Sequence, residues 1–387
     1  MVFGWFGKKK AEPAKAKPNV VMVLIDMVRA DRRQGRRIFD ELAKRSVAFP
    51  QMYTHAPYTI ASVHAFMSGM YGSLTGVDAY MNAPKFDKEN CKTLAQHMKE
   101  GGYRCVADFM NEKIGPHQGF DEVRVHDEFK DDLLARHKAM IDEVRADASP
   151  HFMYLHFSYV HREIVTNVIK VYKDDDPRYF GDENRPMNEQ RYASYLDLAE
   201  EYMTGLLAHL DACGATKDSI VIFMTDHGCG VGERIGEKAY GIYAYDYTIN
   251  TWAYFMHPEL LPSGKEIPNM VRTIDIAPTI LDLCRIDPIE GSKEMQGRSL
   301  VPVIRGDDRD DREVYVETAG LDGPTPSPTE ANVFCVRNRN WKLIYNSTSK
   351  VRELYDLTAD PSETRNLAGQ KPDIEAPLFE KIRRRYL

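Results

Sequence analysis

The chain is poor in the features that mark specialised protein classes. Its six cysteines, Cys91, Cys105, Cys213, Cys229, Cys284 and Cys335, include no Cys-x-x-Cys pair, which excludes a zinc ribbon. An even number admits disulfides, but in a chain of 387 residues free thiols in a reducing compartment are the plainer expectation. No apolar run nears the roughly 20 residues that a membrane-crossing helix needs. The run Val20–Ile25 reads as a buried strand. Positive charge is also short: the net charge of −7 repels a polyanion, so no nucleic-acid partner is expected. A signal peptide puts basic residues before apolar ones, and here Phe3, Trp5 and Phe6 precede Lys8–Lys10. The expectation is a cytoplasmic protein. Residues 3–10 would allow weak, peripheral contact with the anionic inner membrane face, or form a tail without a role.

A hydrophobic share of 43% beside 28% charge is that of a globular protein with a large core. Residues 1–18, rich in Lys, Ala and Pro, read as a disordered basic leader. Asn19–Asp26, His151–Ser158 and Ser219–Met224 read as strands covered on both faces, since their apolar residues run on without alternation. Tyr103–Asp108 is a further strand. Helical patterning covers Gly35–Ser46, Thr93–Glu100 and Glu189–Cys213, and Thr59–Gly69 resembles a loop opening a helix. This alternation predicts an α/β fold with a mostly parallel central sheet and helices on both faces, over residues 19–310. Val314–Glu317, Ala331–Val336 and Trp341–Tyr345 predict a small antiparallel sheet within residues 311–387, closed by a helix near Ile374–Arg385. Residues 162–190 are expected to be a loop over the crevice, with the acidic run 174–176 solvated.

Ligands of open α/β sheets gather at the carboxyl ends of strands. Asp26, His161 and Asp226 each follow a predicted strand, and His227 adjoins Asp226. Two carboxylates, an imidazole and a hydroxyl would suit one divalent cation. Asp-His-Gly alone is a weak signal, because a loop aspartate beside a solvated histidine is common.

The order of motifs adds to this. Asn19-Val-Val-Met-Val-Leu-Ile-Asp26 resembles the opening strand and metal loop of the sulfatases in the alkaline phosphatase superfamily. Thr59-Ile-Ala-Ser-Val-His-Ala-Phe-Met-Ser-Gly69 resembles their nucleophile loop, and Phe223-Met-Thr-Asp-His-Gly228 their second metal loop. Asp275–Leu283, Gly297–Gly306 and Glu353–Leu367 are similar to further family stretches, all in the family's order. The resemblance implies an alkaline-phosphatase-like fold and a hydrolase of phosphoric or sulfuric esters. It places Thr59 where family members carry the Cys or Ser that becomes formylglycine. Ala61 and Val63 stand where that motif has Pro and Arg, so no formylglycine is expected. Met27 replaces a second aspartate, and a thioether is a poor ligand for Ca²⁺ or Mg²⁺.

The remaining set, Asp26, Thr59, Asp226 and His227, is similar to that of the threonine phosphoryl transferases. It implies one divalent ion, Mn²⁺ or Zn²⁺ before Ca²⁺ or Mg²⁺. The helix around Glu200–Glu201 lacks the Asp-x-x-x-His pair of two-metal members. The resemblance further implies that His161 and Lys238 hold the anion or leaving group; Arg29, by its place close after Asp26, would orient it or serve as a supporting ion pair. His64 ranks below His161 as a substrate contact, and His55 and Tyr58 read as loop packing.

The expected reaction is hydrolysis of a phosphate mono- or diester through a Thr59 covalent intermediate. The substrate would be a small molecule or a glycan or lipid-headgroup ester. The alternatives are a sulfuric-ester hydrolase, a phospho-headgroup transferase and a catalytically degenerate binding protein.

Overall fold

A computed structural model describes residues 17–319 and 329–387. The expected leader lies outside the described residues up to position 16, and with it the aromatic–lysine segment 3–10.

The central sheet has nine strands. In chain order they are β1 (Asn19–Ile25), β2 (Val47–Tyr53), β3 (Arg104–Phe109), β4 (Glu122–Val125), β5 (His151–Phe157), β6 (Ser219–Met224), β7 (Asn250–Met256), β8 (Lys265–Glu266) and β9 (Val271–Arg272). Their spatial order is β4-β3-β5-β1-β6-β7-β2-β8, with β9 also on β2. Only β7 runs against its neighbours; the others are parallel.

β1 lies between β5 and β6 in matched register, with Val23 opposite Leu155 on one side and Phe223 on the other. Its residues alternate between two cores. Val20, Met22 and Leu24 pack in the layer that holds Ile60, Val63, Phe66 and Met67 of the helix Thr59–Ser68. Val21, Val23 and Ile25 pack in the layer of Leu196, Met203, Leu206 and Leu210, from the 28-residue helix Arg185–Ala212. Burial on both faces is why the strand carries no polar alternation.

A second sheet, β10 (Val314–Thr318), β11 (Val333–Arg337), β12 (Trp341–Asn346) and β13 (Arg352–Asp356), is antiparallel. Val333 and Cys335 face the main body through Tyr53, Ala244, Tyr245 and Met270. Phe334 and Val336 face Leu378 and Ile382 of the closing helix Pro372–Tyr386.

Residues 162–190 are a loop only in part: 170–184 form turns, while the helix Tyr159–Ile164 continues through a π-turn at Val165–Ile169 and the long helix already begins at Arg185. Nor is the acidic run free: Asp174 pairs with Lys238 at 2.9 Å, and Asp176 binds Arg178 at 2.7 Å. All six cysteines are unpaired. No helix among the described residues is long and apolar enough to cross a membrane.

Candidate active site

Three loops meet at the carboxyl ends of β1, β5 and β6. Asp26 follows β1 directly, and its N–H donates to Phe157 O at 3.0 Å, tying it to the end of β5. Asp226 and His227 follow β6. Thr225 knits the two loops: its hydroxyl donates to His227 O at 3.1 Å and accepts from the Val28 N–H at 3.2 Å. Thr59 opens the helix Thr59–Ser68, and Ser62 donates from that helix to Asp226 O at 3.0 Å.

His227 joins the cluster. Its Nδ1 lies 2.7 Å from Gly228 O, and a carbonyl can only accept, so Nδ1 carries the hydrogen. Nε2 therefore presents a lone pair. It lies 3.1 Å from Thr59 Oγ1, 3.7 Å from Asp26 Oδ1 and 3.7 Å from Asp226 Oδ2. Thr59 can donate its hydroxyl hydrogen to it. Asp26 Oδ1 and Asp226 Oδ2 are buried and have no hydrogen-bond partner. Two like charges withdrawn from water, with bare oxygens turned to one imidazole lone pair, are unstable unless a cation joins them. The donor atoms of Asp26, Asp226 and His227 lie within 4.8 Å of one another, a spacing that suits one metal ion.

Electrostatics report the same strain. Burial and the charge of Asp26 push the Asp226 carboxyl above its ordinary range. Burial also works to raise Asp26, but the hydrogen bond from His156 and the nearby imidazoles outweigh it and hold Asp26 low. His156, whose Nε2 is 3.3 Å from Asp26 Oδ2, was not singled out in the sequence. Its signal was only its place in β5, beside β1.

His161 lies in the first turn after β5. Its Nδ1 is 3.0 Å from Glu128 Oε2, and its Nε2 is 3.2 Å from the Tyr240 hydroxyl. Burial opposes its charge, but Glu128 and the site carboxylates raise it above the ordinary imidazole range. The Tyr240 ring lies 5.2 Å from that of His227. Neither Glu128 nor Tyr240 carried any motif.

Two expected cations do not reach the cluster. Lys238 donates to Ile169 O at 3.2 Å and Tyr172 O at 2.8 Å and pairs with Asp174, so its ammonium is fully engaged away from Thr59. Arg29 chelates Asp31 through Nε and Nη2 at 2.9 and 2.8 Å, and Nη1 reaches Cys229 O at 3.0 Å and Glu233. It clamps the Asp26 loop to the segment after His227 and does not touch Asp26. His64 is buried, with Nδ1 on Ile60 O at 2.7 Å and its ring on Phe86. His55 and Tyr58 are likewise buried. Glu200 serves the first helix, accepting from Arg36 and the Ile38 N–H.

A cleft of 960 Å³ opens elsewhere, bordered by Arg29, Tyr247, Arg337 and Glu363. None of Asp26, Thr59, His161, Asp226 or His227 lines it.

A mostly parallel α/β sheet with a carboxylate–imidazole cluster at its strand ends defines a class, the metal-assisted ester hydrolases. The comparisons make it specific. The Sulfatase family matches residues 18–286, and "N-sulphoglucosamine sulphohydrolase, C-terminal" matches residues 240–385. A Δ4,5-hexuronate-2-O-sulfatase of Bacteroides thetaiotaomicron is 24% identical over 96% of this chain and 88% of its own. A sulfatase of Formosa agariphila is 27% identical over 62% of this chain, but over only 47% of its own length. Among solved structures, a 2-O GAG sulfatase superposes with a TM-score of 0.77 at 22% identity, covering 95% of this chain and 92% of that one. The phosphonate monoester hydrolase of Agrobacterium radiobacter gives 0.75 at 15% identity, covering 95% of each chain. The chain belongs to the sulfatase family, within the alkaline-phosphatase-like fold, and is a hydrolase acting on sulfuric or phosphoric ester bonds.

Proposed function

We propose that the protein hydrolyses a singly charged ester at phosphorus, a phosphodiester or a phosphonate monoester, with Thr59 as nucleophile. The observation that carries this is the Thr59 hydroxyl, 3.1 Å from a His227 lone pair that also faces two unpartnered carboxylate oxygens. Asp26, Asp226, His227 and Thr59 would hold one divalent cation. When bound, that cation supplies Lewis acidity and lowers the pKa of the hydroxyl.

The residues account for the remaining steps. Asp26 and Asp226 fix the rim from which Thr59 attacks, and His156 keeps Asp26 ionised through its hydrogen bond. His161 faces the anion. The groups that face Asp26 and Asp226 are the imidazoles of His156, His161 and His227, and no lysine or arginine joins them, with Lys238 and Arg29 committed elsewhere. So little fixed positive charge suits a single negative charge better than a phosphate monoester dianion. The phosphonate monoester hydrolase neighbour acts on such a group.

Thr59 with Ala61 and Val63 also supports an unmodified alcohol rather than formylglycine. An alcohol nucleophile leaves a threonine ester that water must reopen at the same centre, which is more accessible at phosphorus than at sulfur. The second reading, a sulfate monoester, is favoured by the sulfatase relatives, including one named for a hexuronate sulfate. The substrate is expected to be an ester of a small molecule, glycan or lipid headgroup.

The test is turnover by protein reconstituted with Mn²⁺ or Zn²⁺. The probes are bis(4-nitrophenyl) phosphate, 4-nitrophenyl methylphosphonate, 4-nitrophenyl phosphate and 4-nitrophenyl sulfate. Thr59→Ala should remove at least about 10³-fold of kcat on the phosphodiester or phosphonate. Sulfate turnover above phosphodiester turnover would replace the first reading with the second. Activity that survives Thr59→Ala would end the assignment of the nucleophile.

A further inference from the structure

Glu128, His161 and Tyr240 form a line of hydrogen bonds that ends at the reaction site. Glu128 is nearly buried, with a side-chain exposure of 11%. Its carboxylate can only accept, so His161 Nδ1 carries a hydrogen directed at it. That leaves His161 Nε2 facing the Tyr240 hydroxyl at 3.2 Å. The Tyr240 ring leans on His227, the residue that contacts Thr59. The charge of Tyr80 bears on Tyr240, and Tyr80 is 43% exposed and packs on Tyr58 with ring centroids 5.7 Å apart. Tyr240 thus lies against the residue that contacts Thr59, beside the place where an ester attacked by Thr59 would part.

A departing alcohol needs a proton, and no lysine or arginine described at this site offers one. Lys238 is spent on two carbonyls and Asp174. When His161 carries hydrogens on both ring nitrogens, Nε2–H donates to the tyrosine oxygen. The tyrosine hydrogen is then free for another acceptor. This is the arrangement of an acid held in place by a third group.

We infer that Tyr240, oriented by His161 and Glu128, donates the proton to the leaving-group oxygen. The inference rests on the hydrolytic reading above. In the first step Thr59 Oγ gives its proton to water and bonds to the central atom, and the bond to the ester oxygen breaks. The electron pair stays on that oxygen and takes the Tyr240 proton, while His161 Nε2–H passes its proton to the phenolate. In the second step water attacks the threonine ester and gives one proton back to His161 through Tyr240. The Thr59 oxygen recovers as a hydroxyl with the other. Tyr240 is the catalytic residue of this line, and Glu128 is a positioning residue.

The experiment compares leaving groups on one acid. kcat/KM is measured for 4-nitrophenyl and phenyl methylphosphonate, and for 4-nitrophenyl and phenyl sulfate. The proteins are wild type, Tyr240→Phe, Glu128→Gln and Thr59→Ala. Nitrophenolate leaves without help, whereas phenolate needs the proton. Tyr240→Phe is expected to lower kcat/KM for the phenyl ester about 10-fold more than for the nitrophenyl ester, within the range of general-acid effects. Glu128→Gln should shift the ratio in the same direction and by less.

Equal losses on both esters would overturn the inference, since damage to packing does not distinguish leaving groups. A second readout needs no substrate. The Nδ1 proton of His161, strongly downfield in the NMR spectrum when donated to a carboxylate, should move in Glu128→Gln, and the Nε2 shift should move in Tyr240→Phe. Both signals unchanged would refute the line of hydrogen bonds. If the wild type hydrolyses no probe faster than Thr59→Ala, the reading with Thr59 as nucleophile fails, and the proton donor with it, whatever the NMR shows.

Discussion

Asp226 is held between two opposed demands. Without a cation its buried carboxylate faces Asp26 and rises above the ordinary range; with one it would serve as a ligand. Asp226→Asn removes the repulsion and the ligand together. The metal-free variant is therefore expected to melt a few degrees above metal-free wild type. Added Mn²⁺ or Zn²⁺ should raise the wild-type melting temperature and leave the variant's unchanged. A variant that melts lower without metal would show that the two carboxylates do not strain each other.

Glu317 gives a pH prediction away from the site. It is buried, and burial raises it to about 7, although Oε1 accepts the Ser73 N–H at 2.6 Å. Between its ordinary value of 4.5 and about 7 the folded state keeps a proton that the unfolded chain has lost. Stability from this group therefore falls as pH rises through that window and is flat above it, by up to about 3 kcal/mol. Glu317→Gln, which can keep the bond from Ser73, should remove that slope in urea unfolding between pH 5 and 8. An unchanged slope would refute it.

At this scale the sequence revealed the residues whose chemistry is fixed by a strand end: Asp26, Asp226 and His227. It misplaced Lys238, because a long side chain in a loop goes where carbonyls receive it, and nothing local encodes that Ile169 and Tyr172 would do so. Tyr240 and Glu128 were illegible for the same reason, since their meaning is a contact across many residues of chain.

Among elements, the loop after β6 is tightly held. Gly228 donates its N–H to Thr248 O at 2.7 Å, and a Cβ there would sit 2.0 Å from Tyr247 O, a backbone atom that cannot swing aside. Gly228→Ala must push the Asp226–His227 loop away from the segment Asp246–Ile249. The expected cost is about 2–4 kcal/mol in urea unfolding, with kcat falling further than stability explains because His227 moves off Thr59. Full activity in the variant would mean that the loop has slack.

The strands β1, β5 and β6 were legible because they are buried on both faces, where apolar runs are unbroken. β2 was missed because Pro50 and Gln51 interrupt it. The pairing with β7 shifts register between Phe49 and Met52, a bulge that tolerates the proline. β7, the one reversed strand, begins directly after a helical turn at Asp246–Ile249, with no Gly or Pro to announce it.

At the scale of the whole molecule, one buried charge cluster fastens the C-terminal sheet to the catalytic body. Lys342 of β12 is fully buried, with Nζ 2.5 Å from Asp246 Oδ1, 2.6 Å from Glu363 Oε1 and 3.0 Å from Ala244 O. Arg337 of β11 reaches Asp246 Oδ2 at 3.0 Å. Asp246 and Ala244 belong to the segment between β6 and β7, so the cluster spans the two sheets and borders the 960 Å³ cleft. Around it the contact is apolar and aromatic, through Tyr53, Tyr245, Val316 and Tyr355. The short strands after residue 310 could be read from the sequence. That a lysine in one of them would be buried could not, since its alternation marks only which face it is on. Removing the lysine alone leaves the buried Glu363 carboxylate without its cation. Lys342→Met is therefore expected to cost about 3–5 kcal/mol in urea unfolding. Amide exchange should quicken first in β10–β13 if the sheet opens ahead of the core. Adding Glu363→Gln removes the charge left without a partner, because Asp246 keeps Arg337. The double variant should regain more than half of the loss, and a double variant no better than Lys342→Met would show that packing, not the paired charge, holds the sheet in place.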